Sequence, residues 1–233
     1  MKNIYKLLNK KKIEKNLGIK IKNKNIWLTA VTHKSWLFFH PEIKLPHNER
    51  LEFLGDSVLQ LVASWYLYLH FPQFGEGELS LIRASLVNRQ RLGEIAQKLK
   101  IEEFLLFGKN FDEKGLKTVL GDALEAIIGA IFLDLGFDKA REFIEKNILS
   151  EAAEIVKQKK YKDPKTLLQE ILQKESKVLP EYRVIEVSGP PHKRHFRIGL
   201  YLNNQLITEG QGSSKKEAEI EAALKALEKF HFT

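Results

Sequence analysis

The stretch NERLEFLGDS, residues 48–57, decides how the rest of the chain is interpreted. At the helical period, Glu49, Glu52 and Asp56 stand at i, i+3 and i+7, so their carboxylates share one helix face. Leucines and a phenylalanine surround these acids, which predicts that the face lies at the margin of a hydrophobic core. Clustered carboxylates repel one another and are costly to bury unless a cation neutralises them. The pattern favours a divalent-metal site, and the alternative is an ordinary solvated acidic face.

A second acidic face lies further along the chain. Asp122 and Glu125 fall on one side of a predicted helix, residues 121–134, that is otherwise apolar nearly all round. A buried helix does not normally accept two carboxylates without compensation. If the two helices pack together, their acids form an all-oxygen set that favours Mg²⁺, with Mn²⁺ as a substitute, over zinc. Such sites carry out phosphoryl chemistry with activated water. The alternative is a pair of salt bridges between helices, with Arg50 or Arg83 as partners.

The composition excludes several other classes of protein. The 233 residues include no cysteine, which rules out disulfides, thiolate nucleophiles and cysteine-based zinc sites and suits a reducing compartment. No apolar run reaches the roughly 18 residues needed to span a bilayer, and no signal peptide is recognisable. No P-loop is present, so we expect no nucleotide cofactor. These observations predict a cytoplasmic protein that does not insert into a membrane.

The basic charge is concentrated at the beginning of the chain. The net charge is +8, and residues 1–24 contain nine lysines against one glutamate. Such a segment either favours polyanions non-specifically or forms an ordinary soluble helix face. The charge alone is therefore weak support for binding to a nucleic acid.

Periodicity divides the chain into two domains. Helical spacing predicts an all-α first domain, residues 1–156, with helices at 4–17, 26–39, 49–70, 79–87, 88–99, 121–134 and 139–159. Asn48 is the expected N-cap of the helix that starts at Glu49. A polar, basic linker follows at residues 157–162. The second domain, residues 163–233, has an α-β-β-β-α order, with helices at 164–174 and 215–230 and strands at 182–187, 196–202 and 205–210. Asp163 is the expected cap of its first helix, Ser213-Ser214 caps the closing helix, and Asn203-Asn204 is a hairpin-turn pair. The predicted fold class is α+β, multidomain.

Several motifs together resemble the ribonuclease III family. Residues 48–57 resemble its signature, and the other matching segments are residues 32–35 (THKS), 76–80 (EGELS) and 121–126 (GDALEA). Residues 189–196 (GPPHKRHF) and 212–219 (GSSKKEAE) resemble the loop and closing helix of a double-stranded-RNA-binding domain. The match covers nearly the whole chain in family order. Trp36 departs from the pattern, because a smaller aromatic residue is expected after the THKS segment, and this suggests altered packing.

The resemblance implies a role for each acid. Three carboxylates are expected to ligate the metal ion: those of Glu52, Asp122 and Glu125. Asp56 is expected to hold and orient water, and Glu125 is also expected to be essential for hydrolysis. Glu49 and Glu76 correspond to positions at the edge of the catalytic valley that assist substrate handling or dimer contacts. His33 is interpreted as a hydrogen-bonded structural residue and not as a metal ligand.

The second domain is expected to read the shape and backbone of duplex RNA. Lys215 and Lys216 stand at a helix N-terminus, where backbone N–H groups add to their charge for phosphate. His192 lies on the loop expected to enter the minor groove. The first helix of the domain offers three residues that can meet sugar hydroxyls: Thr166, Gln169 and Gln173.

The resemblance implies a Mg²⁺-dependent endoribonuclease that hydrolyses double-stranded RNA and leaves 5′-phosphate and 3′-hydroxyl ends. Its expected role is the processing of ribosomal-precursor, messenger or structured regulatory RNA. A homodimer is expected, in which each subunit contributes one acidic cluster to a shared valley. Leu59, Val62 and Tyr66 form a second apolar face that either pairs across the dimer or belongs to the core. The alternative function is a non-cleaving dimer that binds double-stranded RNA.

Overall fold

The structure is a computed structural model that describes residues 4–108, 111–175, 177–190 and 193–230. Its contacts divide the chain into two compact units, Met1–Ala153 and Glu154–Thr233. Secondary structure differs sharply between them, because the described part of the first unit is helical and the second contains a sheet. Within the described residues no helix combines the length and apolar character needed to cross a membrane.

Two long helices stand among shorter ones in the first unit. Its 3₁₀ helices are Ile4–Leu7 and Ile101–Glu103. Its α-helices are α1 Lys10–Leu17, α2 Lys24–Ala30, α3 Lys34–Phe38, α4 Glu49–His70, α5 Glu76–Leu86, α6 Arg89–Lys98, α7 Glu113–Leu135 and α8 Phe137–Asn147. The short helix α9, Ala152–Lys157, spans the boundary between the two units. Helix α7 is the centre of this unit, since α2, α4, α6 and α8 all contact it.

Glycines allow the backbones of α4 and α7 to come into direct contact. A Cβ atom on Gly55 of α4 would lie 1.7 Å from the carbonyl oxygen of Glu125, and one on Gly129 of α7 would lie 2.3 Å from the carbonyl oxygen of Leu51. No side chain fits at such separations, so these positions accept only glycine while the helices keep this spacing. This contact brings Glu52 of α4 close to Asp122 and Glu125 of α7.

A second glycine contact joins α6 to the earlier part of α7. A Cβ atom on Gly93 would lie 2.4 Å from the carbonyl oxygen of Lys117, and one on Gly121 would lie 2.9 Å from that of Arg89. The N-terminus of α6 is therefore held beside the turn of α7 that carries Asp122.

Four of the predicted helices differ clearly from the observed ones. Helix α7 begins at Glu113, eight residues before the predicted start at residue 121, and Asp112 caps it by accepting a hydrogen bond from the Gly115 amide. The other three are interrupted. The segment predicted as one helix at 26–39 is two helices, because Thr32 forms a β-bridge with Leu106 and the His33 side chain accepts a hydrogen bond from the Ser35 amide at the start of α3. The predicted helices 4–17 and 139–159 are also interrupted, at Asn9 and between α8 and α9.

The N-cap prediction for Asn48 is wrong. Asn48 precedes α4, but its φ and ψ of −74° and −13° are already helical, and its side chain makes no capping hydrogen bond. The side chain is buried, and its amide has no hydrogen-bond partner among the described residues. Its backbone instead anchors the segment, with the N–H donating to the carbonyl of Thr32 at 2.9 Å.

The second unit follows the predicted α-β-β-β-α order. Its elements are α10 Pro164–Glu175, β1 Glu181–Ser188, β2 His195–Leu202, β3 Gln205–Gly212 and α11 Lys215–Lys229. The sheet is antiparallel in the order β1-β2-β3. Asn203 and Asn204 turn the β2–β3 hairpin with φ angles of 49° and 64°, as the predicted asparagine pair requires. The predicted fold class, a helical domain followed by an α-β-β-β-α domain, is confirmed.

Both helices of the second unit cover one face of its sheet. Buried residues of α10, β2 and α11 form their common core: Leu167, Leu168, Leu172, Leu200, Ala222, Ala223, Ala226 and Leu227. Asp163 caps α10 by accepting hydrogen bonds from the amides of Lys165 and Thr166, and Ser214 caps α11 by accepting one from Glu217. These caps fix where the exposed first turns of the two helices begin.

Candidate active site and RNA-binding surface

Three carboxylates meet where α4 packs against α7. Glu52, Asp122 and Glu125 each offer one oxygen, and these oxygens lie within 4.8 Å of one another. All three side chains are half-buried. The close helix contact at Gly55, next to the backbone of Glu125, brings the acids of the two helices together. The arrangement provides several oxygen ligands of the kind that Mg²⁺ and Mn²⁺ prefer.

Burial and mutual repulsion make ionisation of this cluster difficult. Burial, followed by the charges of Asp56, Asp122 and Glu52, raises the pKa of Glu125 to about 8. Burial and then the Asp122 charge raise the pKa of Glu52. Burial also raises the pKa of Asp122, against the opposing effect of the Arg89 charge. A bound cation would reverse this balance by stabilising the ionised forms.

Asp56 lies one turn after Glu52 on α4 and is half-buried beside the cluster. One of its carboxylate oxygens accepts a hydrogen bond from Gln60 Nε2 at 3.2 Å. Its charge is the second-largest cause of the raised pKa of Glu125, after burial. Asp56 therefore acts on the cluster electrostatically while its carboxylate is oriented from its own helix.

A salt bridge is present at Asp122, but its partner is neither of the expected arginines. Arg89 Nε lies 2.9 Å from Asp122 Oδ1 in an ion pair that lacks hydrogen-bond geometry. Arg83 instead donates to the Ser64 hydroxyl at 2.7 Å, and Arg50 is exposed. The sequence gives no local signal for Arg89, because its proximity depends on the packing of α6 against α7.

Glu49 and Glu76 stay outside the three-carboxylate cluster. Glu49 is exposed and pairs with Lys34 at 2.7 Å and with His47 at 3.7 Å. The hydrogen bond from Lys34 is the main cause of the lowered pKa of Glu49. Glu76 is exposed at the start of α5 and accepts a hydrogen bond from the Ser80 hydroxyl at 3.1 Å. On the helix face predicted for the three acids, Glu49 is therefore exposed and paired with Lys34, whereas Glu52 and Asp56 are half-buried.

His33 has the surroundings of a structural residue. Its Nδ1 lies 2.7 Å from the Ser35 hydroxyl, and its backbone N–H donates to the Leu106 carbonyl at 2.9 Å. Burial is the largest cause of its lowered pKa. Trp36, one turn further on, stacks against His40 with a ring-centre distance of 4.2 Å.

Helix α4 also carries an exposed apolar face. Leu61, Trp65, Tyr68 and Leu69 are exposed and line a groove of about 920 Å³ that Glu76 and Arg83 also border. The apolar face named from the sequence is different. Leu59 and Val62 are 0% and 1% exposed, so they belong to the core, and Tyr66 is half-buried against His70. Of the two alternatives left open by the sequence, the structure supports the core for Leu59 and Val62, since α4 turns them towards the interior of its own unit.

The predicted RNA-binding residues of the second unit lie on the first turns of α10 and α11 and further along α10. Thr166, Gln169 and Gln173 are exposed on α10, and Lys215 and Lys216 are exposed at the start of α11. Thr166, Gln169 and Lys216 line a common concavity of about 460 Å³. The predicted contact at His192 lies outside the described residues.

The chain is similar to known proteins over both units. The family model described as ribonuclease-III-like matches residues 23–152, and the double-stranded RNA binding motif matches residues 164–230. Ribonuclease 3 of Carboxydothermus hydrogenoformans is 45% identical over 219 residues, which cover 93% of each chain. Ribonuclease 3 of Streptococcus pneumoniae strain P1031 is 41% identical over 222 residues, with 93% of this chain and 94% of the relative covered.

A solved structure resembles the helical unit. The nuclease domain of ribonuclease III from Campylobacter jejuni, described as flexible in a region involved in dimer formation, is 44% identical. It aligns with a TM-score of 0.51 and covers 60% of this chain and 98% of its own.

Proposed function

The chain belongs to the ribonuclease III family of double-stranded-RNA-specific endoribonucleases, and we propose that it hydrolyses RNA with a Mg²⁺ ion held by Glu52, Asp122 and Glu125. One observation carries the proposal: carboxylate oxygens from two helices lie within 4.8 Å of one another at a half-buried place. The all-oxygen donor set fits Mg²⁺, and Mn²⁺ is expected to substitute. Burial that raises the pKa of all three acids also fits a site completed by a cation.

The bound ion would activate water and stabilise the negative charge that develops on the phosphate. The residues of the chain prepare this chemistry. We assign to Asp56, whose carboxylate accepts a hydrogen bond from Gln60, the role of holding and orienting water around the ion. Glu125 is the most strongly perturbed acid, so we assign it the role of metal ligand and of essential group in hydrolysis. The expected products carry 5′-phosphate and 3′-hydroxyl ends.

We propose that the active form is a homodimer, with the exposed apolar face of α4 in the interface. Leu61, Trp65, Tyr68 and Leu69 form a contiguous apolar groove wall of the kind that marks a protein contact. Glu76 borders this groove, which supports its assignment to the edge of a valley shared by two subunits. Glu49 is assigned to the same edge and is held by Lys34.

The second unit supplies affinity for duplex RNA. Thr166, Gln169 and Gln173 are assigned to sugar contacts, Lys215 and Lys216 to phosphate, and His192 to the minor groove. The shared concavity that includes Thr166, Gln169 and Lys216 supports one continuous contact surface. We place the linker between the domains at residues 157–162, between the end of α9 and the start of α10, with domains at 1–156 and 163–233. The lack of cysteine suits a cytoplasmic enzyme that processes ribosomal, messenger or regulatory RNA.

A cleavage assay tests the function and the site separately. A labelled hairpin RNA is incubated with the chain and Mg²⁺, and the same assay is run with Glu125→Gln and with the control Glu102→Gln on an exposed 3₁₀ turn. The parent chain and the control are expected to cut, and Glu125→Gln is expected to lose at least about 100-fold in rate. No cleavage by the parent would favour the non-cleaving RNA-binding dimer. Full activity of Glu125→Gln would overturn the site assignment alone.

A further inference from the structure

Arg89 is the cation in direct contact with the acidic cluster. Among the described residues, no other lysine or arginine forms an ion pair with Glu52, Asp56, Asp122 or Glu125. Its Nε lies 2.9 Å from Asp122 Oδ1, and its side chain is 62% exposed while that of Asp122 is only 19% exposed. The guanidinium therefore sits over the cluster at its solvent-facing side.

The position of Arg89 is fixed by the backbone. Arg89 is the first residue of α6, and the Asn88 side chain caps that helix by accepting a hydrogen bond from the Arg91 amide at 3.0 Å. A Cβ atom on Gly121 would lie 2.9 Å from the Arg89 carbonyl oxygen and 3.5 Å from its Cγ. The residue immediately before Asp122 is therefore small enough to let the Arg89 backbone and side chain lie against α7.

A positively charged side chain beside the carboxylate cluster would favour the approach of RNA. An RNA phosphodiester that approaches several carboxylates is repelled by them, and a single Arg offers charge-assisted hydrogen bonds in a planar fork that matches phosphate oxygens. Nε faces Asp122, and within the described residues no acceptor engages the two Nη groups. The same side chain can then hold Asp122 with one nitrogen and present its other donors to substrate.

We propose that Arg89 contacts the RNA phosphodiester at the cleavage site, donating from its Nη groups to a non-bridging oxygen while its Nε stays in the ion pair with Asp122. This inference rests on the proposed function, and it adds a substrate contact from α6 to a site otherwise built by α4 and α7.

The test measures RNA binding apart from cleavage. In a Glu125→Gln background with Mg²⁺ present, affinity for a hairpin RNA is measured over a range of salt concentrations, with and without Arg89→Gln. We expect about 10-fold weaker binding and a salt dependence reduced by roughly one phosphate contact, a slope change of about 0.7–0.9. Lys98→Gln is the matched control, because Lys98 lies on the same helix, is 70% exposed and pairs with Glu151 away from the cluster. It should leave both quantities unchanged.

Two further measurements distinguish a substrate contact from structural support. Mg²⁺ titration without RNA should show that Arg89→Gln binds the ion at least as tightly as the parent, because a neighbouring positive charge has been removed. Arg89→Lys should keep the salt slope and recover part of the affinity, since lysine retains the charge but loses the fork. Weaker Mg²⁺ binding with an unchanged salt slope would overturn the proposal. Failure of the proposed function would appear separately, as the absence of Mg²⁺-dependent cleavage by the parent chain.

Discussion

The charged residues that we assign to function are arranged in opposite ways in the two units. In the helical unit, Glu52, Asp122 and Glu125 are half-buried, lie within 4.8 Å of one another and depend on two helices for their positions. In the second unit, Lys215 and Lys216 are exposed neighbours on the first turn of one helix. In the helical unit, like charges lie close together and are partly shielded from water. In the second unit, the charges are solvent-exposed, so solvent screens the interactions that each one makes.

The two arrangements should respond to different perturbations. A packed cluster is sensitive to changes in helix spacing and to protonation, because burial and neighbouring charges both set its pKa values. A surface of exposed lysines is sensitive to ionic strength, and its members contribute in small and separable steps. Changes to the first site should therefore be large and coupled, and changes to the second should be graded.

The largest effect is expected at the glycine contact between α4 and α7. Gly55→Ala places a Cβ atom 1.7 Å from the Glu125 carbonyl oxygen, so the helices must separate. We expect the free energy of unfolding to fall by about 3 kcal/mol or more, with loss of cleavage, as measured by denaturant unfolding and hairpin cleavage. Gly77→Ala in α5 has no atom within 4 Å of its new Cβ and should keep stability and activity. Equal stability of the two variants would show that the close contact is not required.

The next effect concerns pH. Glu125 has its pKa raised from 4.5 to about 8, so the folded chain without divalent metal holds a proton that the unfolded chain releases above pH 4.5. The free energy of unfolding should therefore decrease as pH rises from about 4.5 to 8 and level off above that. Denaturant unfolding in a chelator at pH 5, 7 and 9 measures this decrease. Glu125→Gln should reduce it, whereas the exposed control Glu102→Gln should not, and a parent-like decrease in Glu125→Gln would contradict the account.

A smaller effect is expected at the exposed apolar face of α4. This face belongs neither to the carboxylate cluster nor to the lysine surface of the second unit. Leu69→Glu places a charge on an exposed position of the groove wall. In a symmetric dimer the change occurs twice, so we expect the dissociation constant of the dimer to rise at least about 10-fold. Sedimentation over a range of concentrations measures this constant. Leu133→Glu, at an exposed position of α7 that does not line this groove, is the control. A dimer unaffected by Leu69→Glu would remove this face from the interface.

The smallest effect is expected on the RNA-binding surface. Lys216→Gln removes one exposed charge, so affinity for hairpin RNA should fall only a few-fold and the salt slope by about 0.7–0.9. Cleavage at saturating RNA and low salt should stay at the parent rate. Lys229→Gln, at the opposite end of α11, should leave the slope unchanged. A loss of maximal rate in Lys216→Gln would contradict the assignment of RNA affinity to the second unit and of catalysis to the helical unit.

Local patterns were enough to predict most of the fold. The helix spacing of Glu52 and Asp56, the asparagine pair at the hairpin and the caps at Asp163 and Ser214 each depend on residues close in sequence. These features need no knowledge of the partner helix. The sequence could therefore predict the elements and the acids that they carry.

Features that depend on packing between helices were missed or left open. Arg89 reaches Asp122 only because α6 contacts α7 at Gly121. The sequence left open whether Leu59 pairs across a dimer or belongs to the core, because the answer depends on how α4 is rotated against its neighbours. The break at Thr32 follows from its bridge with Leu106, which lies far away in sequence. Asn48 has the residue type of an N-cap, but its helical backbone prevents the side chain from serving as one.

Titration calorimetry with Mg²⁺ measures whether the acids of α4 and α7 together form one metal site. Glu52→Gln and Asp122→Asn alter different helices, and each should weaken binding at least about 10-fold. The double variant should lose less than the sum of the two single effects, since both acids serve the same ion. Glu49→Gln, whose carboxylate pairs with Lys34 outside the cluster, should bind Mg²⁺ like the parent. Parent-like binding by Glu52→Gln and Asp122→Asn would contradict the account.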